Sequence, residues 1–104
     1  MAFADNLKQL PGVENIEKLD LLDSGGKAVA TLENKPGKAG SLAVYNHLAL
    51  RHGKIDADSA AEGLILFAEH TEDAKKNPGK HPNIDRLFQV IDEKLSLTAK
   101  VTGK

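Results

Sequence analysis

The sequence predicts one small α+β domain, in which a three-stranded antiparallel sheet packs against three to four helices in the order α-β-β-α-α-α-β. Three observations predict this fold. Two stretches of alternating apolar and polar residues flank a Gly-Gly turn, stretches of helical periodicity follow, and residues 95–101 alternate again as a last strand. A hairpin alone is marginal in water, so the C-terminal strand is expected to pair with the N-terminal hairpin. A length of 104 residues fits a single domain over residues 1–104.

The N-terminal third of the chain contains a short helix and the hairpin. Apolar residues spaced at i, i+4 and i+7 predict a helix that starts near Phe3 and ends before Pro11. Residues 17–22 and 27–32 alternate as strands do, on either side of Asp-Ser-Gly-Gly at residues 23–26. Glycine supplies the positive φ that a tight turn needs, so these residues predict a β-hairpin.

Three more helices are predicted from periodicity and end signals. The first is capped by Ser41 and ends before Gly53. The second begins at Asp56 or Ser59, either of which can cap it, and runs to about residue 76. The third is capped by Asn83.

Composition excludes several kinds of function. The net charge is -1, from 14 basic and 15 acidic residues, and no basic run is interleaved with aromatic residues, so no nucleic-acid partner is expected. The absence of cysteine excludes disulfides, thiol catalysis and thiolate metal ligands. The longest apolar run, residues 64–68, is far too short to span a membrane, and the N-terminus lacks the features of a signal peptide. These features predict a cytoplasmic protein that does not contact a membrane.

A carboxylate-histidine pair is the main candidate for catalysis. His70 and Asp73 lie one turn apart on the predicted second helix, and His81 follows in a loop that could fold back towards them, with Asp85 as a further candidate. The spacing matches no established metal signature, so neither a metal nor a cofactor is predicted. Ordinary caps and surface pairs explain these residues more simply, and the sequence leans away from an enzyme.

The remaining charged residues of these helices are interpreted as structural. The acidic residues Asp58, Glu62, Glu69 and Asp73 share one side of their helix and are expected to be solvated. His47 is expected on a solvated face with Arg51, and His52 is explained by packing or by the helix dipole at the last turn.

Two loops rich in Lys, Pro and Gly are candidates for anion binding. The first loop (residues 35–41) and the second loop (residues 76–83) each run into a helix N-terminus, where free N–H groups favour a phosphate. Neither contains the P-loop pattern, and connecting loops commonly have this composition. The candidate ligand-binding residues are Lys35, Lys38, Gly40, Ser41, Lys80 and Asn83.

Ile65 and Leu66 are candidates for an interaction surface. Both lie towards the charged side of their helix, off its main apolar stripe. Either this helix is covered on more than one side, or a patch is left for a protein partner or for a second copy of the chain.

Several segments resemble a known family. They are residues 3–7, the Leu-Leu-Asp turn at residues 21–23, and residues 34–37, 40–45, 68–71 and 77–87. In these segments, which span most of the chain, the sequence resembles the small proteobacterial family catalogued as domain of unknown function 2322. The resemblance implies a bacterial cytoplasmic protein, and it assigns neither an activity nor a catalytic residue.

Two functions from different classes remain open. The leading hypothesis is a non-catalytic binding or regulatory domain that acts through a protein partner or as a homodimer, because the sequence offers an apolar patch and no convincing catalytic constellation. The alternative is a small protein or enzyme that binds an anion or phosphometabolite with the two loops and uses His70 or His81 as acid or base. The alternative requires both loops and both histidines to meet in one cleft.

Overall fold

The computed structural model describes residues 2–104 and places a sheet beside a layer of helices. The elements in chain order are α1 (Phe3–Leu7), β1 (Ile16–Leu22), β2 (Ala28–Glu33), α2 (Ala39–His52), α3 (Ala57–Leu66), α4 (Glu69–Lys76), α5 (Pro82–Glu93) and β3 (Thr98–Gly103). The α+β class and the sheet are as predicted. The helix expected up to about residue 76 is divided into α3 and α4, so residues 2–104 contain five helices rather than three to four.

The sheet has the order β2-β1-β3, with both pairs antiparallel. Successive side chains of β1 point to opposite faces, because a strand has a period of two. Leu19 and Leu21 are therefore both completely buried against the helices. Asp20 lies on the other face, where its carboxylate accepts a hydrogen bond from the hydroxyl of Thr31 on β2. This arrangement confirms that the C-terminal strand pairs with the hairpin.

The hairpin turn is organised by one carboxylate. Asp23 Oδ1 accepts hydrogen bonds from the N–H groups of Gly25 and Lys27, each at 2.9 Å. Gly26 has φ of 84°, a conformation that other residues rarely adopt. The predicted turn therefore forms as the sequence indicates.

The helix α2 lies at the centre of the helical layer. Its residues 42–46 are all buried, including the complete side chain of Tyr45. The Tyr45 hydroxyl donates a hydrogen bond to the backbone oxygen of Asn83, and burial raises the pKa of this phenol to about 12. Gly63 on α3 is packed so tightly that a Cβ there would lie 2.8 Å from a methyl carbon of Leu87 and 2.9 Å from one of Leu48. The absent side chain at position 63 thus lets α3 approach both α2 and α5.

The chain turns sharply between α3 and α4 at Ala68, which has φ of 51° and ψ of -118°. The carbonyl groups released at the end of α3 are bound by side chains from outside it. Asn6 Nδ2 donates to Leu66 O at 2.9 Å, and Thr71 Oγ1 donates to Leu64 O at 2.6 Å. Asn6 and Thr71 are both buried, so these two hydrogen bonds stabilise the break.

Two of the predicted helix ends are confirmed. Asp56 is the N-cap of α3, where its carboxylate accepts the N–H of Ser59 and the Ser59 hydroxyl accepts the N–H of Asp56. The backbone hydrogen bond from Ser59 holds the pKa of the Asp56 carboxyl below its ordinary value. Gly53 ends α2 with φ of 79°, as expected of a C-terminal glycine.

The predicted caps Ser41 and Asn83 are wrong. Both residues lie inside the first turn, because α2 begins at Ala39 and α5 begins at Pro82. Proline favours the first helical position, since its fixed φ suits the helix and it has no N–H to satisfy. None of the helices described between residues 2 and 104 is both long and apolar enough to cross a lipid bilayer.

Candidate anion-binding cleft

The two Lys/Pro/Gly loops meet at a cleft of about 280 Å³. The first loop and the start of α2 contribute Gly37, Gly40 and Ser41 to its lining. The second loop and the start of α5 contribute Lys80, His81 and Asn83, and α4 contributes His70. The loops and both histidines therefore converge on one site, as the anion-binding hypothesis requires.

An aromatic wall closes one side of the cleft. The ring of Phe3 stacks on Phe67 with centroids 5.3 Å apart and meets His70 edge-on at 5.0 Å. The His70 ring in turn lies 5.7 Å from that of His81. Gly40 lies beneath Phe3, where a Cβ would come within 3.2 Å of the ring. The short helix α1 thus places Phe3 over the junction of α2 and α4.

Two polar residues of the cleft lining, Lys80 and His81, contact Asp73, which lies behind the lining. Asp73 Oδ2 lies 2.6 Å from His81 Nε2 and 3.0 Å from Lys80 Nζ, and Asp73 Oδ1 accepts a hydrogen bond from Asn77 Nδ2 at 3.0 Å. The hydrogen bond from His81, followed by that from Lys80, lowers the pKa of the Asp73 carboxyl to about 2. Asp73 is therefore a carboxylate at every pH at which the protein is expected to work.

The partner of Asp73 differs from the one expected at helical spacing. His70 lies one turn before it, but the carboxylate binds His81, which the second loop brings back towards α4. Asp85 has a separate role, since its Oδ2 atom accepts the N–H of Gly79 at 2.9 Å and holds the loop in shape. Among residues 2–104, no group of three His, Asp or Glu side chains is arranged to hold a metal ion.

The helices α2 and α5 both begin at the cleft without a side-chain cap. Their N-cap residues, Lys38 and His81, make no capping hydrogen bond, whereas Asp56 caps α3 fully. The first N–H groups of an α-helix have no partner within the helix and carry the positive end of its dipole. The starts of α2 and α5 therefore add to the positive potential of the cleft.

The predicted ligand-binding residues are divided by the structure. Gly40, Ser41, Lys80 and Asn83 line the cleft. Lys35 and Lys38 do not line it, although they belong to the first loop. Lys35 instead lies 2.7 Å from the carboxylate of Glu33, with 61% of its side chain exposed.

A second polar cluster, which sequence reasoning missed, surrounds Glu62 on α3. One carboxylate oxygen lies 2.8 Å from His47 Nε2, and the other lies 2.8 Å from His52 Nε2 and 2.9 Å from Arg51 Nε. Burial pushes the pKa of the Glu62 carboxyl upward, but hydrogen bonds from His52 and His47 and the nearby Arg51 outweigh burial and lower it. His47, Arg51 and Glu62 were expected to be solvated, and they instead join α2 to α3. Spacing at i, i+4 and i+5 places the three nitrogen-bearing partners on one side of α2, but nothing in the sequence locates Glu62 opposite them.

Ile65 and Leu66 have different environments. The side chain of Ile65 is 75% exposed, beside a shallow groove of about 350 Å³ whose lining includes Leu64, Ala68 and Phe88. Leu66 is half-buried and packs against the core. Of the two candidate interface residues, Ile65 is therefore the exposed one.

The fold and the cleft define a small α+β protein with a basic, partly aromatic cleft between two helix N-termini. By its sequence the chain belongs to the family described as "Uncharacterized protein conserved in bacteria (DUF2322)", whose model matches residues 3–101. This match confirms the family resemblance, and its description names bacteria without a narrower group. No curated protein and no solved structure matches the chain significantly.

Proposed function

We propose that the cleft binds a small anionic metabolite, with a phosphorylated compound as the favoured class. The observation that carries the proposal is that the first loop, with Gly40 and Ser41, meets His70, Lys80 and His81 at one cleft. Helix N-termini and basic side chains are the groups that bind phosphate in proteins. The cleft contains both.

The charge of the cleft suits an anion. Asp73 offsets one positive charge, and Lys80 and His81 both contact it. The starts of α2 and α5 remain as further positive ends, and His70 is a second imidazole facing the same space. A phosphate would therefore meet Lys80 and the positive ends of two helices, with Asp73 and Asp85 as the opposing carboxylates nearby.

The size of the cleft limits the ligand. Pockets for drug-sized molecules have volumes of about 300–1,000 Å³, and this cleft, at about 280 Å³, lies at the lower edge of that range. Phe3 and Phe67 supply an apolar side against which the carbon part of a ligand can pack. We therefore favour a phosphorylated metabolite of a few carbon atoms over a nucleotide, and a cytoplasmic location is part of this proposal.

A thermal-shift screen with inorganic phosphate, small phosphorylated metabolites, nucleotides and divalent metals tests the proposal. A ligand at 100 times its Kd stabilises the folded protein by about 2.7 kcal/mol. For a domain of this size that corresponds to an increase in Tm of about 10 °C or more. We expect such an increase with a small phosphorylated compound.

Two variants locate the effect. Lys80→Ala is expected to abolish the increase, because it removes a cation from the cleft, whereas Lys35→Ala is expected to retain it, because Lys35 lies outside the cleft. An increase that survives Lys80→Ala but disappears with Lys35→Ala would contradict the proposed site. No increase with any anion would contradict the proposed function.

A second candidate function is association of two copies of this chain around Ile65. The observation that favours it is that Ile65, 75% exposed, lines a groove whose other walls are partly apolar, with Leu64 and Phe88, and partly polar, with Glu72 and Lys75. In a two-fold dimer each copy presents the same surface, so Ile65 of one copy can enter the groove of the other. Such a contact would cover the largest exposed aliphatic side chain on α3.

Sedimentation of wild type and Ile65→Lys at the same concentrations tests this second function. We expect a dimer for the wild type and a monomer for the variant, because a buried lysine without a partner is costly. Leu50→Lys is the matched control, since Leu50 is also exposed, at 68%, but lies on α2 outside the groove. A wild-type protein that stays monomeric at millimolar concentration would contradict the dimer.

A further inference from the structure

The hydrogen bond between His81 and Asp73 determines which ring nitrogen of His81 can react. Asp73 is a carboxylate and can only accept, so the proton in the 2.6 Å contact is carried by Nε2. In the neutral ring the other nitrogen, Nδ1, then holds the lone pair. A carboxylate on one nitrogen of an imidazole fixes its tautomer and increases the basicity of the other.

His81 is the histidine that combines a carboxylate partner with a place in the cleft. His47 and His52 also contact a carboxylate through Nε2, but that of Glu62, outside the cleft. His70 lines the cleft and contacts the rings of Phe3 and His81. His47 and His52 are therefore controls for a carboxylate partner alone, and His70 is the control for a place in the cleft alone.

We propose that His81 is a phosphoryl-accepting residue, which takes a phosphoryl group onto Nδ1 from a small acyl phosphate or phosphoramidate bound in the cleft. This inference rests on the proposed function, because the donor is an anion of the class that the cleft is proposed to bind. It goes further in assigning a covalent step, and the atom that carries it.

The step balances with phosphoramidate as the donor. A bond forms between Nδ1 and phosphorus while the bond from phosphorus to the donor nitrogen breaks, and the departing nitrogen keeps the electron pair. That nitrogen takes a proton from water and leaves as ammonia. The His81 ring, which still carries the Nε2 proton, becomes a cation, and the Asp73 carboxylate in contact with it balances the charge.

The surroundings of His81 suit the phosphorylated product. His81 is the N-cap residue of the 12-residue helix α5, so a phosphoryl group on its ring lies at the positive end of that helix. Lys80 precedes it in the chain and contacts the same carboxylate. The side chain of His81 is 24% exposed, which leaves the ring accessible to a small donor.

Treatment of the purified protein with potassium phosphoramidate tests the inference, with peptide mass spectrometry under neutral conditions and ³¹P NMR as readouts. We expect phosphohistidine at His81 first and mainly, a loss of this product in His81→Gln, and its retention in His47→Gln. Equal labelling of all four histidines, or labelling that spares His81, would overturn the proposal. Circular dichroism establishes that each variant is folded.

Asp73→Asn tests the role of Asp73 as a positioning residue. We expect slower labelling of His81, together with a loss of the Nε2–H tautomer preference in long-range ¹H–¹⁵N spectra, a signal that a merely structural role would not move. Labelling and tautomer unchanged in Asp73→Asn would overturn this role. Inorganic phosphate separates the two proposals. If phosphate binds in the cleft but phosphoramidate does not label His81, the covalent step is refuted and the proposed function stands.

Discussion

The environment of the Glu62 carboxylate is set by residues of the neighbouring helix α2 and not by its own helix α3. On its own helix it belongs to an acidic side, and it would be solvated if α3 stood alone. In the folded chain three donors from α2 surround it within 2.9 Å, and 27% of its side chain remains exposed. A half-buried carboxylate that accepts several hydrogen bonds is stabilised more than one in an exposed ion pair.

We expect Glu62→Gln to destabilise the protein by about 1.5–3 kcal/mol, on the scale of hydrogen bonds to charged groups. Glutamine keeps one acceptor oxygen but turns an NH₂ group towards donors on α2. Chemical denaturation at neutral pH measures the difference. Glu72→Gln is the control, since Glu72 is 67% exposed with one lysine contact at 3.3 Å, and less than about 0.5 kcal/mol is expected there.

The pH dependence of the same variant follows from the lowered pKa of Glu62. A carboxyl whose folded pKa lies below its unfolded value contributes stability above the unfolded value, and this contribution is lost as the pH falls through the folded value. The ordinary value is 4.5, so the advantage of the wild type over Glu62→Gln should be complete above this pH and shrink below it. An advantage that grows on acidification would contradict this account.

At the scale of elements, the break between α3 and α4 is the feature that sequence periodicity could not give. Residues 57–76 contain no proline, and their apolar spacing continues through the break. What ends α3 is tertiary: the side chains of Asn6 and Thr71 bind its last carbonyl groups, and Asn6 lies 60 residues from its acceptor in the chain. A pattern read along one helix contains no information about such a partner.

We expect Ala68→Gly to stabilise the protein by about 1 kcal/mol. A non-glycine residue at φ of 51° and ψ of -118° is strained by about 1–3 kcal/mol, which exceeds the entropy cost of glycine. Ala61→Gly is the matched control, because Ala61 is exposed within α3 and the same change there should cost about 1 kcal/mol. Thermal unfolding measures whether each substitution raises or lowers the stability of the protein. A destabilised Ala68→Gly would contradict the strained conformation.

At the scale of the whole molecule, the sequence predicts what depends on local periodicity and leaves open what depends on assembly. The alternation in β1 and the turn at Asp23 specify the hairpin, so the sheet could be predicted. Ser41 and Asn83 do not cap their helices, because a helix start depends on where the preceding loop is held. Pro82 at the first helical position was the available signal for α5.

The cleft could be predicted as a set of residues but not as a site. His70 and Asp73 were expected to pair on the basis of helical spacing, whereas the second loop returns His81 to Asp73. Lys35 and Lys80 come from loops of the same composition, and only packing decides that one faces Glu33 and the other the cleft. Phe3 reaches the site from the other end of the chain, and no pattern near either loop indicated it.

The central claim, that both loops form one anion-binding cleft, is tested most directly by titrating inorganic phosphate into ¹⁵N-labelled protein, with chloride at matched ionic strength as the reference. We expect saturable shifts of the backbone N–H signals of Gly40, Ser41, Lys80 and Asn83, all with the same dissociation constant. Shifts confined to one of the two loops, or spread over exposed lysines without saturation, would contradict it.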